Sequence, residues 1–356
     1  LRFILSYPSK MHLTDISKTI LNMQSSPEEL EKALNAFAQM CGDISGIQPS
    51  TCYQAWSGDT LLRNGVAIDP KAAAYCVKDY QRSVAFIRGV YAALKSLRDK
   101  ASRRTPTTVL YAGCGPFATL LLPLLPLFDE KELAITFLDI HEESLDSVRR
   151  IIETAGFSDY QVNTVCDDAC CYRHNQLIDM IIVETMQKAL EQEPQFAVTA
   201  NLSNQMKPGG YFIPELIQVD LYLTNSEAQK PVTASSRTLD GVDRCSSEHK
   251  VHVRRLIELG AASAGCLFGQ VHNARAGSVK QLSLPDFEIS KLPEIKKYKP
   301  ELYTRIKIFA DYCLEHYQSS LTLPSRCYEL EPLVSGDRYR AGYLISSYPK
   351  IIFERV

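Results

Sequence analysis

Apolar positions along this chain recur with a helical period at first and in strand-length runs later. Leu30, Leu34, Phe37 and Cys41 fall on one face behind a Ser26-Pro-Glu-Glu29 capping box, and Gly42 marks the expected end of that helix. Ala73, Val77, Tyr80, Val84, Ile87, Tyr91 and Leu94 form a second stripe behind Asp69-Pro70, which predicts one long helix through about Leu97. Residues 12–100 therefore read as helical, and 1–100 as a helical region able to close over a cavity. The pattern breaks at Pro49–Gly65, where the only tryptophan, Trp56, reads as a packing anchor. From Thr107 to about Leu223 the apolar runs shorten to strand length: Val109–Ala112, Ala134–Asp139, Gln161–Cys166, Met180–Glu184, Tyr211–Ile213 and Ile217–Leu223. Helical segments such as Glu142–Ala155 and Glu193–Gln205 separate them. This alternation predicts an α/β unit over 101–223 with a doubly wound, mostly parallel sheet. Lys230–Lys250 is polar and reads as an exposed loop. β-like runs follow at Val251–Leu259, Gln281–Leu284, Arg305–Phe309, Ser319–Leu323 and Ile345–Phe353, punctuated by Gly277, Pro285, Pro293, Pro324, Gly336 and Pro349. They predict a β-rich unit over 224–356.

The candidate chemistry gathers at the strand ends. After Val109 and Leu110 the chain turns at Gly113 and Gly115 into an apolar segment that reads as a helix. Such a turn offers unpaired backbone N–H groups, and its glycines let a ligand lie on the main chain. Asp139 ends the next strand, 24 residues after Gly115, where an acid suits the two hydroxyls of a ribose. The third glycine of a dinucleotide fingerprint is replaced by Ala118, and Pro116 and Phe117 leave no cradle for a pyrophosphate. A cofactor with a ribose but no phosphate fits better, and S-adenosylmethionine (SAM) is such a molecule. Asp167, Asp168 and Glu184 fall at the same edge. From residues alone, Arg82 reads as a solvated charge paired with Asp79. Glu193 reads equally as a site acid or as the solvated first turn of a helix.

Bulk composition narrows the partners. Net charge is −2 and the pI about 6.4, so no nucleic-acid partner is expected. The leucine-rich run Leu120–Phe128 is interrupted by Pro123 and Pro126, well short of the ~20 apolar residues of a membrane helix. Eleven scattered cysteines read as free thiols and predict a cytoplasmic protein. Cys166, Cys170, Cys171 and His174 cluster, but adjacent cysteines serve one metal poorly, so no metal site is expected. Leu1–Lys10, ahead of Met11, lacks the pattern of a secretory signal and reads as a trimmed or added terminus.

Ala112-Gly-Cys-Gly-Pro116 resembles the first motif of class I SAM-dependent methyltransferases, in the form found among protein arginine methyltransferases. Asp79-Tyr-Gln-Arg82 resembles that family's Asp-x-x-Arg helix. Asp179-Met-Ile-Ile-Val-Glu184 and Glu193, nine residues on, are similar to its paired-glutamate hairpin, and Met206–Pro214 to the turn and strand beyond it. The resemblance implies a Rossmann-like fold and a SAM site. Arg82, Ala112, Gly113, Cys114, Gly115, Asp139, Ile140, Asp167 and Asp168 would hold the cofactor, Arg82 at its carboxylate and Asp139 at its ribose. Glu184 and Glu193 would be catalytic, and the β-rich unit would form one cleft wall and often a dimer contact, making a homodimer an expectation. Two features depart from the family: Val183-Glu-Thr-Met-Gln187 lacks its glycine and aromatic, and no Thr-His-Trp-like segment occurs, since His249, His252 and His272 have other neighbours. The expected activity is methyl transfer to a nitrogen of a small molecule or peptide. The alternatives are protein arginine methylation, non-methyl use of SAM that releases methylthioadenosine, and an inactive SAM-binding scaffold.

Overall fold

A computed structural model describes residues 10–50, 58–100, 105–225, 250–273 and 280–356. Trp56, the Leu1–Pro8 stretch, His249, Gly277 and nearly all of the Lys230–Lys250 loop lie outside the described residues.

The N-terminal region comprises α1 (Lys10–Leu21), α2 (Pro27–Ser45), β1 (Thr60–Leu62), β2 (Gly65–Ala67), α3 (Pro70–Tyr75) and α4 (Tyr80–Lys100). Ser26 and Glu29 form the expected reciprocal cap on α2. The helix passes through Gly42 and stops at Gly46, whose φ of 81° is the left-handed cap conformation. Two further expectations fail. Residues 12–100 are not all helical, because β1 and β2 pair as an antiparallel hairpin. The stripe from Ala73 to Leu94 is not one helix either: a 3-10 turn at Cys76–Lys78 ends in Asp79, whose non-helical ψ of 80° breaks it.

The central unit contains β3 (Thr107–Ala112), β4 (Leu133–Asp139), α5 (Glu142–Thr154), β5 (Gln161–Cys166), β6 (Ile178–Val183), α6 (Gln195–Leu202) and β7 (Met206–Ile213). Its strands form a parallel sheet in the order β5-β4-β3-β6-β7, so the first strand lies in the middle and the chain reverses direction across it. Alternate residues face opposite sides: Val109 and Tyr111 join the core that includes α4 and α5, while Leu110 and Ala112 join the core with Val198 and Leu202 of α6. Burial on both faces is why β3, β4 and β6 read as continuous apolar runs. The fold is thus an α/β, Rossmann-like doubly wound sheet with N-terminal helices and a C-terminal β-rich region. After β3, however, the chain makes turns and a 3-10 helix at Leu122–Leu127 instead of the expected long helix. Pro123 and Pro126 cannot supply the N–H groups of an α-helix.

The C-terminal region holds β8 (Leu216–Asn225), β9 (Lys250–Leu259), α7 (Ala261–Gly269), β10 (His272–Asn273), β11 (Lys280–Glu288), β12 (Tyr298–Phe309), β13 (Tyr312–Leu314), β14 (Ser325–Arg326), β15 (Arg338–Ile345) and β16 (Lys350–Arg355). One antiparallel sheet runs β13-β12-β8-β9 and another β10-β11-β15-β16. β8 pairs with β12 from Leu216 to Asn225, so the expected division at 223 falls inside a strand of the second sheet, and the change of sheet comes at Pro214–Glu215. The expected run at Ile345–Phe353 is two strands around a turn, and Ser319–Leu323 is a 3-10 turn at Ser320–Thr322.

Candidate functional site

The carboxyl ends of β3, β4 and β6 open into one pocket at the point where strand order reverses, where open α/β sheets bind ligands. β3 runs into Gly113 (φ 68°) and Gly115 (φ 60°). Gly113 is required twice over, since a Cβ there would lie 2.3 Å from Thr185 Cγ2 at the end of β6.

Asp139 closes β4 and is buried. Its Oδ2 accepts the Gly115 N–H at 2.9 Å and its Oδ1 accepts the His141 N–H at 3.0 Å. The acid thus holds the glycine turn in place; Oδ2 also takes the Cys114 thiol at 3.9 Å, while Oδ1 keeps a further lone pair. Cys114 lies beneath it, and burial pushes the thiol pKa up, with Asp139 adding to the rise. Ile140 lines the pocket beside Asp139. Asp167 is exposed and its Oδ1 accepts the Asp168 N–H; Asp168 accepts the Cys170 N–H. Both acids line the pocket while shaping their own turn. Ala112 sits under the turn in the core on the α6 side and does not line the pocket.

Arg82 enters from α4. The solvated reading is wrong, because α4 is also buried along the line of Arg82, Phe86, Gly89 and Ala93, and Arg82, 8% exposed, forms an ion pair with Glu184. Burial works against the Arg82 charge, but Glu184 and other negative neighbours outweigh it and raise its pKa. Burial raises Glu184 in turn, opposed by Arg82. Its other oxygen, Oε1, is buried with no hydrogen-bond partner. A buried acceptor left unpaired costs about 1–3 kcal/mol and is a ready contact for a ligand. Glu193 is buried as well, and it precedes α6 instead of occupying its exposed first turn. Burial first, and the neighbouring Glu184 second, push its carboxyl up to about 8.

Several residues that sequence reasoning missed complete the pocket. Leu62, Val66 and Ile68 of the hairpin region cover one side, and Ser320 and Leu321 of the C-terminal region close another. His141 bridges the hairpin to Asp139, with Nε2 3.0 Å from Thr60 Oγ1. No spacing marked these, since each reaches the pocket through tertiary contact; the His141 position after Asp139 was the one available signal. His252 pairs with Asp220 on the second sheet and does not line the pocket. Among the described residues, no cluster of His, Cys, Asp or Glu has the makings of a metal site, and no helix is long and apolar enough to cross a membrane.

No family model matches the chain, and no curated protein matches it. Its fold is similar to that of a chain in the Trypanosoma brucei PRMT1 enzyme-prozyme heterotetrameric complex with AdoHcy. The TM-score is 0.45 with 13% identity, over 79% of this chain and 91% of that one. So slight a likeness carries no functional weight.

Proposed function

We propose that this protein is a SAM-dependent methyltransferase that modifies a nitrogen of a small molecule or peptide. One observation carries the reading: the buried Arg82–Glu184 pair, with Glu184 Oε1 unpartnered, stands in the same pocket as a glycine turn pinned by Asp139. The residues suit the cofactor. Asp139 retains acceptor capacity for ribose hydroxyls, the turn lets a ligand lie on the backbone, and Arg82 is the cation for a carboxylate. Asp167 and Asp168 stand at the adenine end of this reading, with Ile140 as an apolar wall. Bound there, SAM supplies a methyl carbon already activated by a positively charged sulfur.

The chain's own contribution is then orientation and proton handling. Glu184 is anchored by Arg82 and offers its free oxygen to an acceptor N–H. Glu193 is largely protonated at neutral pH. A cationic amine or guanidine between the two acids favours the ionised form of Glu193. That carboxylate accepts the proton that an ammonium must lose before its lone pair can take a methyl group, or that a guanidinium loses along with the transfer. Holding the reactants aligned in a dry pocket can account for ~7–11 kcal/mol of the barrier.

The test is to incubate the protein with SAM and a mixture of metabolites and peptides, then identify the nucleoside released by mass spectrometry. S-adenosylhomocysteine is expected. Methylthioadenosine would replace methyl transfer with the aminocarboxypropyl or cyclisation alternative. Tight binding without any release would leave a scaffold, and no binding would end the SAM reading altogether.

A further inference from the structure

Gln195 opens α6 and is 1% exposed. Its Oε1 accepts two hydrogen bonds from Thr185, the backbone N–H at 3.0 Å and Oγ1 at 3.2 Å, and its Nε2 donates to Thr199 Oγ1 at 3.3 Å. Thr185 directly follows Glu184, and Gln195 lies two residues beyond Glu193. One buried amide therefore ties together the two ends of the loop that carries both acids. The middle of that loop cannot do this itself. Ala189, Leu190 and Gln192 all have positive φ, a conformation costing of order 1–3 kcal/mol per residue. The rest of the loop is held from outside: Ala189 N–H donates to Thr304, Tyr343 donates to Leu190 O, and Gln192 N–H donates to Pro349 O. Thr185 also presses on the glycine turn, its Cγ2 occupying the space a Cβ of Gly113 would need. Direct contacts thus run from the turn through Thr185 to Gln195, next to the second acid.

We infer that Gln195 is a positioning residue that sets the separation of Glu184 and Glu193 and registers both against the glycine turn. The geometric claim stands whether or not the pocket transfers methyl groups; only the purpose of the spacing rests on the proposed function. Gln195 has no need to touch a substrate. An apolar residue would fill its volume but leave the Thr185 N–H buried without a partner, and the end of β6 would be free to shift.

The test reads the acids directly. Glutamate side chains carrying ¹³C carboxyls are titrated by NMR, with E184Q and E193Q assigning the resonances. Glu193 faces Glu184, Arg82 and Asp59 and the amide of Gln187, so its midpoint reports on that spacing. Gln195→Met keeps the bulk and removes the acceptor; Thr185→Val removes only the hydroxyl donor. In Q195M the Glu193 midpoint is expected to fall by about one pH unit or more as the acids separate and water enters. T185V should shift it in the same direction by less. An unmoved midpoint in folded Q195M overturns the proposal; if Q195M does not fold, an unmoved midpoint in T185V does so. Titration of S-adenosylhomocysteine into the wild-type protein is the separate control. Absence of binding there removes the methyltransferase reading and leaves the positioning test intact.

Discussion

Glu193 carries the clearest consequence of burial at the level of a single side chain. Its carboxyl titrates near 8 in the folded chain and near 4.5 when free, so between those values the folded state holds a proton that the unfolded state has released. The unfolded state then binds fewer protons, and stability must fall as pH rises through this window. The slope is at most about 1.4 kcal/mol per pH unit for one proton. Urea unfolding from pH 5 to 8 should show that decline in the wild type and a flatter profile in Glu193→Gln. Parallel profiles would mean that Glu193 is ionised in the folded state. Asp139 makes a different prediction, because its carboxylate serves the backbone as well as any ligand. Asp139→Ala strands the N–H groups of Gly115 and His141, so SAM affinity and melting temperature should fall together, each by the equivalent of ~1–3 kcal/mol. Calorimetric titration and thermal melts check this, and a loss of affinity with no loss of stability would mean that Asp139 does not hold the turn.

Elements inherit these constraints through close approach. Gly113 sits where β3, the turn and the end of β6 converge, while Gly209 shares its positive φ (79° against 68°) with nothing within 4 Å of its missing Cβ. Gly209→Ala should therefore cost only the left-handed conformation, roughly 1–2 kcal/mol. Gly113→Ala adds a collision with Thr185, bringing the total to ~2–5 kcal/mol and displacing the strand end that delivers Glu184. Equal denaturation midpoints for the two variants would contradict the close packing. Strands β3, β4 and β6 were legible in the sequence because burial on both faces writes an unbroken apolar run. Elements judged by periodicity alone fared worse. Leu120–Phe128 has helical hydrophobicity but two prolines, and the three-residue strands β1 and β2 are too short to show alternation. Helix α7 hides in Ala261–Gly269, where small residues and two glycines give no amphipathic stripe.

At the scale of the molecule, what the sequence could not disclose is how distant segments meet at the pocket. Arg82 shows this: charge and spacing fit a solvated residue, and only the packing of α4 on a second face, with Phe86, Gly89 and Ala93, buries it. The break just ahead of that helix, at Asp79, is held from far along the chain. Its Oδ2 accepts the hydroxyls of Ser319 and Ser320, both at 2.7 Å, and the Ser320 N–H at 2.8 Å, so a residue at the head of α4 is clasped by the C-terminal region. Ser320 and Leu321, on the far side of the clasp, line the pocket together with Arg82. Hydrogen bonds to a charged acceptor contribute about 1.5–3 kcal/mol each, but Ser320 is exposed and regains water when released, so the three do not sum. Asp79→Ala should cost ~2–4 kcal/mol in urea unfolding, and Ser320→Ala less. The sharper signature is spatial: in Asp79→Ala, amide hydrogen exchange should quicken at 76–80 and at 319–322 together, although some 240 residues separate them in the chain. Acceleration confined to 76–80 would mean that the C-terminal segment holds its place by its own packing, and that Asp79 merely ends a helix. Joint acceleration would make this one carboxylate the tie that keeps the pocket's third wall against the other two.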